Sequence, residues 1–249
     1  MSSEADLLLL VGVLLPPQAL GALGDLLEER IIETPYGLVG PVARRGSPSG
    51  PQLWVEPYSG MVTRPDPRAT LWAARLLGVR RILNWDTGVA LDPALRRGWP
   101  LIVTDYIDVT RRTPNTFWGP GSADRLKSLE VRPAFCPQMT AALFQALPDV
   151  SGGVYLGVDS PRRETPAEAR MYRTWGAHVL GKNLVPEVCL AQELGLCYAG
   201  LVTIADYGAQ ATALPQVGEV RVGLETTFQM LQAFLQRMAA APGCSCSIE

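Results

Sequence analysis

The sequence has a single histidine, His178, among its 249 residues. Imidazole is the side chain most often used for proton transfer and metal binding near neutral pH. Either kind of histidine chemistry in this chain could use His178 alone. The motifs GxSxG, HExxH and the Walker loop are also absent, and no GxGxxG follows an apolar run. We therefore expect no metal site and no organic cofactor.

An excess of positive charge is missing too, since 22 basic side chains face 24 acidic ones. A nucleic-acid partner is therefore not expected. The hydrophobic share of 47% excludes a disordered chain. The long apolar run 7–15 is too short to span a bilayer, and residues 1–6 are acidic where a signal peptide would be basic. These features predict a folded cytoplasmic protein that needs no membrane.

The five cysteines do not suggest a disulfide framework. Cys136, Cys189 and Cys197 lie in apolar runs, which is typical of buried reduced thiols. Cys244 and Cys246 form a CxC pair close to the last residue, with no second ligand pair. We expect residues 242–249 to form a flexible tail.

Short apolar runs alternate with helical patterns along the chain. The runs are solidly apolar, as in strands that are covered on both faces. Strands are predicted at 7–15, 53–56, 81–84, 101–106, 153–158, 178–180 and 201–205, and helices at 68–77, 138–146, 166–176, 186–194 and 214–241. The segments 44–52 and 111–122 read as loops, and neither separates regions of different composition. The pattern predicts an α/β protein with a single domain over 1–249 and a mixed, mostly parallel central sheet flanked by helices.

The clearest local signal is a helix start at Thr165. Thr165 can act as the N-cap, Pro166 as the first helical residue, and Glu168 as the partner that completes a capping box. Gly176 stands where this helix is expected to end.

Five segments form a recognisable pattern: 153–162, 165–177, 185–188, 195–199 and 206–207, with weaker matches at 31–37, 105–108 and 135–137. Through these segments most of the chain, and specifically the stretch from about 153 to 207, resembles the methylthioadenosine phosphorylases, a family of the trimeric purine nucleoside phosphorylases. The resemblance implies a nucleoside phosphorylase-like fold and a homotrimer. It also implies a pentosyltransferase of purine salvage, in which phosphate cleaves the N-glycosidic bond of a purine nucleoside.

On the base and sugar side, the resemblance assigns the base-reading carboxylate to Asp206. Such a carboxylate accepts from an exocyclic amine or holds a proton near N7. Arg163 stands where the family has a stacking Phe, and Lys182 with Asn183 stand in its ribose segment. The alternatives are an Asp206 that caps a turn, and surface ion pairs of Arg163 or Lys182 with nearby acids.

On the phosphate side, the sequence departs from the family. The Gly-Gly-Thr-Gly loop falls on residues 11–14, where Val13 replaces the hydroxyl residue, and the Arg-His-Gly segment falls on 57–60, which has no cation or imidazole. Thr-Ala-Cys-Gly becomes Trp85, Asp86, Thr87 and a glycine, while Arg68 is kept. A carboxylate beside phosphate is repulsive unless it is paired, so we expect an altered or lost phosphate site.

Three functions therefore stay open. The first is a phosphorylase with a rearranged anion site, in which Arg68, Arg163 or Lys182 supplies the cation and phosphate is the co-substrate. The second is a nucleoside hydrolase or lyase, in which Asp86 orients water and Asp206 acts on the base. The third is a non-catalytic protein that binds a purine-like ligand or assembles with a partner. The candidate catalytic residues are Asp206 and Asp86, and the candidate substrate-binding residues are Arg163, Lys182, Asn183, Trp85, Thr87 and Arg68. Trp85 has a second interpretation, as a large aromatic residue that fills the core.

Overall fold

The structure, a computed structural model, describes residues 5–57, 66–119, 133–159, 162–209 and 217–240. In this part of the chain the strands are β1 (Leu7–Val11), β2 (Asp25–Thr34), β3 (Gly37–Gly46), β4 (Gln52–Glu56), β5 (Arg81–Ala90), β6 (Pro100–Asp108), β7 (Gly152–Gly157), β8 (Val179–Gly181) and β9 (Cys197–Tyr207). The helices are α1 (Pro67–Leu76), α2 (Pro137–Ala146), α3 (Pro166–Thr174), α4 (Leu184–Glu193) and α5 (Val217–Ala240). A 3-10 helix covers Pro17–Leu23.

The strands form one mixed sheet in the order β2-β3-β4-β1-β5-β8-β7-β6-β9. Strand β9 also pairs with β5, so that β5, β8, β7, β6 and β9 close into a ring. Strand β1 pairs in parallel with β4 and with β5, and β5 pairs in parallel with β9. The pairs β5–β8 and β6–β9 are antiparallel. The predicted α/β class and mixed sheet are confirmed.

Both faces of the central strands are covered, which explains their solidly apolar sequences. On one face, Leu9 and Trp85 belong to the same cluster as residues of α2 and α5. On the other face, Leu10 and Ile82 cluster with residues of α1 and α4. Polar side chains on β5 must therefore be either buried with partners or placed near the open end of the strand.

Helix α3 begins as its sequence predicts. The Thr165 hydroxyl accepts from the backbone N–H of Glu168 at 3.2 Å, and the Glu168 carboxylate accepts from the N–H of Thr165 at 2.8 Å. The helix ends at Thr174, and Gly176 has a φ of +89°, a conformation that favours glycine.

The β2–β3 hairpin was not predicted from the sequence. Strand β2 carries four exposed charged residues, and the two strands pair antiparallel to each other at one end of the sheet order. The predicted loop 44–52 is wrong in its first part, because residues 44–46 belong to β3. The predicted first strand is four residues too long, since β1 ends at Val11.

Three cysteines are free thiols as expected: Cys136 and Cys197 are buried, and Cys189 is partly buried. The expected tail at 242–249, including Cys244 and Cys246, and segment 58–60 lie outside the described residues. None of the helices in the described part of the chain is long and apolar enough to cross a membrane.

Candidate functional site

Asp86 lies against the backbone that follows β1. Strands β1 and β5 run in parallel, and the N–H of Gly12 donates to the carbonyl of Trp85 at 2.7 Å. A Cβ atom at residue 12 would lie 2.6 Å from Asp86 Oδ1, so any side chain there would displace the Asp86 carboxyl group. The carboxylate therefore lies beside the turn where the family resemblance expects phosphate.

Amide groups hold this carboxylate, which is 3% exposed. Its Oδ1 accepts from the N–H of Thr87 at 2.8 Å, and its Oδ2 accepts from Asn183 Nδ2 at 3.0 Å. All three residues are among the site residues expected from the sequence, and the structure brings them together. The arrangement buries a carboxyl group beside Gly12, with hydrogen bonds from Thr87 and Asn183.

Tyr155 adds a phenol to this group. It is fully buried, and its oxygen accepts from the N–H of Asn183 at 3.2 Å. Burial raises the pKa of Tyr155 well above its ordinary value, and the charge of Asp86 raises it further. The hydroxyl therefore keeps its proton at neutral pH. We refer to Gly12, Asp86, Thr87, Tyr155 and Asn183 as the Asp86 cluster.

Asp206 lies at the end of β9 between two arginines. Arg163 Nη1 is 3.0 Å from its Oδ2, and Arg97 Nη2 is 3.4 Å from its Oδ1. Oδ1 also accepts from the N–H of Tyr207 at 2.8 Å, and the Arg97 guanidinium lies 4.9 Å from the centre of the Tyr207 ring. We refer to Arg97, Arg163, Asp206 and Tyr207 as the Asp206 cluster.

The two clusters are separated along neighbouring parallel strands. Asp86 pairs with Val202 of β9, whereas Asp206 pairs with Val89 of β5, three positions farther along. At about 3.3 Å per residue, the backbones of these two residues are offset by about 10 Å along β5.

Trp85 is the expected substrate contact that the structure corrects. Its side chain is 0% exposed, its Nε1 donates to the Thr203 hydroxyl at 3.0 Å, and its ring stacks on Phe228 at 6.1 Å. Adjacent residues of a strand point to opposite faces, so Trp85 points into the α5 side of the core while Asp86 does not.

The three cations proposed for the anion site have different surroundings. Arg68 pairs with Asp66 at 2.8 Å and lies over the ring of Tyr36, so it makes no described contact with either cluster. Arg163 is paired with Asp206. Lys182 is partly buried, directly precedes Asn183, and makes no ion pair with any described residue. The expected surface pair of Lys182 with a nearby acid is thus not formed among these residues.

Sequence analysis did not single out Arg97, Tyr155 or a second buried acid, Glu187. Glu187 is 1% exposed and accepts from Asn84 Nδ2 and from the Tyr198 hydroxyl, both at 2.8 Å. Contacts between residues so distant in sequence leave no local pattern. The one signal for Tyr155 is Gly181, where a Cβ would lie 2.3 Å from the phenol oxygen.

Comparisons with known proteins agree with this architecture. The family model described as "Phosphorylase superfamily" matches residues 15–240. The "Probable 6-oxopurine nucleoside phosphorylase" of Moorella thermoacetica is 31% identical over 243 residues, with 92% of each chain covered. The S-methyl-5'-thioadenosine phosphorylase of Pyrococcus furiosus is 31% identical over 216 residues, covering 83% of this chain and 82% of the relative.

Among solved structures, the methylthioadenosine phosphorylase from Schistosoma mansoni in complex with tubercidin superposes with a TM-score of 0.80. The identity is 21%, and the match covers 96% of this chain and 93% of the other. The two chains therefore share the nucleoside phosphorylase fold, as expected from the sequence.

Proposed function

The chain belongs to the phosphorylase superfamily, within the purine nucleoside and methylthioadenosine phosphorylases, and from that premise we propose that it binds a purine nucleoside between the Asp86 and Asp206 clusters. Glycosidic-bond cleavage is the reaction of the family, and we propose that its phosphate site is altered in this chain. The relatives bear names that include methylthioadenosine and 6-oxopurine nucleosides, so both are candidate ligands.

The observation that carries this proposal is the position of the Asp86 carboxylate. It lies against Gly12 and takes the amide hydrogen of Asn183, a donor that would otherwise be available to an anion. Two unit charges about 4 Å apart repel by about 4 kcal/mol at an effective dielectric constant of about 20. Arg68 and Arg163 have other partners, so Lys182 is the proposed cation best placed to offset this repulsion.

Hydrolysis is the second candidate, and the same carboxylate favours it. Asp86 would accept a proton from water while the water oxygen bonds to the anomeric carbon and the bond to the purine breaks. The purine would take its proton from solvent, because Asp206 is occupied by Arg97 and Arg163. Phosphate would have no role in this reaction.

Purine release distinguishes these possibilities. The protein is incubated with methylthioadenosine, adenosine, inosine and guanosine, with and without phosphate, and free purine is measured. Binding is measured separately, from the melting temperature of the protein with each nucleoside. We expect at least one of the four nucleosides to raise that temperature, and any purine release to be independent of phosphate. Release that requires phosphate would disprove the altered site. Absence of any stabilisation by the four nucleosides would disprove the proposed ligand class.

Asp206→Asn provides a second measurement. The substitution removes the charge that both arginines contact, so nucleoside binding should weaken. An unchanged affinity would remove Asp206 from the site.

A further inference from the structure

A groove with a volume of 520 Å³ lies between the segment after β6 and the exposed side of α3. The first wall includes Val109, Arg111 and Arg112, and the second includes Met171, Tyr172 and Trp175. This volume is within the range of small-molecule pockets. The groove includes no residue of the Asp86 or Asp206 clusters, although its Glu164 lies 3.5 Å from the Nε of Arg163 in the Asp206 cluster.

Asp159 anchors the first wall. Its Oδ2 accepts from the N–H groups of Arg111 and Arg112 at 2.9 and 3.2 Å, and its Oδ1 accepts from the Thr113 hydroxyl at 2.9 Å. Burial alone would raise the pKa of Asp159, but these hydrogen bonds together lower it below its ordinary value. The carboxylate therefore stays charged, and its bonds to the backbone fix two consecutive arginines at one rim.

The other two carboxylates of the groove also have partners within the chain. Glu168 accepts from Arg162 Nη1 at 2.7 Å and from the N–H of Thr165. Glu164 accepts from the N–H of Ala209 at 2.9 Å. All three carboxylates of the groove thus accept hydrogen bonds from groups within the chain.

The two arginines at the rim of the groove, Arg111 and Arg112, have no such side-chain partners among the described residues. The side chains of Arg111 and Arg112 are exposed, and neither forms an ion pair or hydrogen bond with any residue that the structure describes. Three arginines and three carboxylates line the groove, and the side chains of Arg111 and Arg112 are the cations without a described partner that can contact a ligand.

The α3 wall offers a flat apolar surface. Trp175 is 50% exposed and Met171 is 40% exposed, both high values for large apolar side chains. The rings of Trp175 and Tyr172 are 5.9 Å apart. Tryptophan next to cationic groups suits a ligand that has both a ring and a negative charge.

We propose that this groove binds a phosphomonoester that carries a flat ring, such as a nucleoside 5'-monophosphate. The ring lies against Trp175 and Met171, and the phosphate lies on Arg111 and Arg112. A phosphomonoester carries about two negative charges near pH 7, which matches two guanidinium groups. Guanidinium also binds phosphate through paired hydrogen bonds.

Calorimetric titration of the whole chain with adenosine 5'-monophosphate, adenosine and inorganic phosphate tests this proposal. In the Asp206→Asn background, where the nucleoside site is weakened, we expect the monophosphate to bind at least about tenfold more tightly than either part alone, since two charge-assisted contacts and a ring contact act together. The double variant Arg111→Ala/Arg112→Ala should lose about tenfold or more in monophosphate affinity. The double variant Arg170→Ala/Arg173→Ala, with two exposed arginines of the α3 region outside the groove, should bind like the wild type.

Further variants locate the site. Trp175→Ala, made in the Asp206→Asn background, should weaken monophosphate binding, which assigns that binding to the groove and not to the nucleoside site. Unchanged affinity in the Arg111/Arg112 variant would overturn the proposal. Binding of inorganic phosphate as tight as that of the monophosphate would also overturn it, because the ring would then have no part in recognition.

Discussion

At the scale of single residues, Asp86 has the greatest effect on the proposed chemistry. It is an acidic residue at a position where the family that the chain resembles has alanine. Its carboxyl group is buried next to Gly12. Its hydrogen bond with Asn183 connects the middle of β5 with the start of α4, just after β8. In the proposed function, this residue thus changes both the charge and the hydrogen-bond donors that are offered to phosphate.

Asp86→Ala should therefore improve phosphate binding. Removal of the carboxylate relieves a repulsion of about 4 kcal/mol at 4 Å, of which only part will be recovered, so we expect about tenfold tighter phosphate binding. Calorimetric titration with phosphate measures this change. Asp105→Ala, at an exposed position on β6, serves as the control and should leave the affinity unchanged. Equal phosphate affinity in Asp86→Ala and the wild type would contradict the assignment.

Arg163 belongs to the same scale, because it changes what the site offers to a purine. A guanidinium has five N–H donors. Arg163 directs its nitrogens to Asp206, to the carbonyl of Tyr207 and to Glu164, which leaves two donors. The Arg163 side chain is 54% exposed, whereas that of Asp206 is 25% exposed. The more accessible group of this pair is therefore a hydrogen-bond donor.

Arg163→Met should consequently change base preference. Two acceptors, O6 and N7, lie on one edge of a 6-oxopurine, and an arginine that contacts both discriminates against adenine by about 1–3 kcal/mol. We expect the wild type to prefer inosine over adenosine, and Arg163→Met to lose that preference by about tenfold. Melting temperatures at several nucleoside concentrations provide the measurement. Arg162→Met, whose arginine pairs with Glu168, is the matched control. A wild type that prefers adenosine would disprove this role.

At the scale of elements, α3 shows how far local sequence can determine structure. Its capping box, first-turn proline and terminal glycine all lie within 11 residues of one another, and each is found as predicted. The β2–β3 hairpin is the opposite case. Its register depends on pairing between strands and contains two irregularities, which an apolar pattern does not encode.

Glu168 makes the stability of α3 dependent on pH. Its hydrogen bond with Arg162, together with that from the N–H of Thr165, lowers its pKa to about 2. An unfolded glutamate titrates near a pKa of about 4.3, so its contribution is complete above that pH and is lost as the pH falls towards about 2. The difference in melting temperature between the wild type and Glu168→Gln should be greatest at neutral pH and disappear in strong acid. A difference that stays constant with pH would contradict this role.

At the scale of the whole molecule, strand order decides which residues meet. The ring of β5, β8, β7, β6 and β9 brings Asn183 to Asp86 although they are 97 residues apart in sequence. It also brings Arg97 to Asp206 across 109 residues. Of the eight site residues expected from the sequence, Trp85 is the one that this arrangement places in the core.

The assembly is also a property at this scale, and we expect a homotrimer. Ile31 and Leu38 of the β2–β3 hairpin are 69% and 72% exposed, more than a monomer requires. Light scattering should give three times the chain mass of 26.9 kDa. Ile31→Ser/Leu38→Ser should reduce that mass if the hairpin lies in the contact, whereas Leu26→Ser, at the other end of the hairpin, should not. A wild-type mass of one chain would disprove the trimer.

The sequence by itself determined the α/β class, the buried strands, the capping box of α3 and the family, because each depends on residues that are close in the chain or on a contiguous pattern. Its single histidine also indicated a site without imidazole chemistry. Only the tertiary structure decided that Trp85 is a core residue, that two arginines hold Asp206, and that Asp86 lies against Gly12. These contacts depend on strand order and register, which arise from packing across the whole sheet.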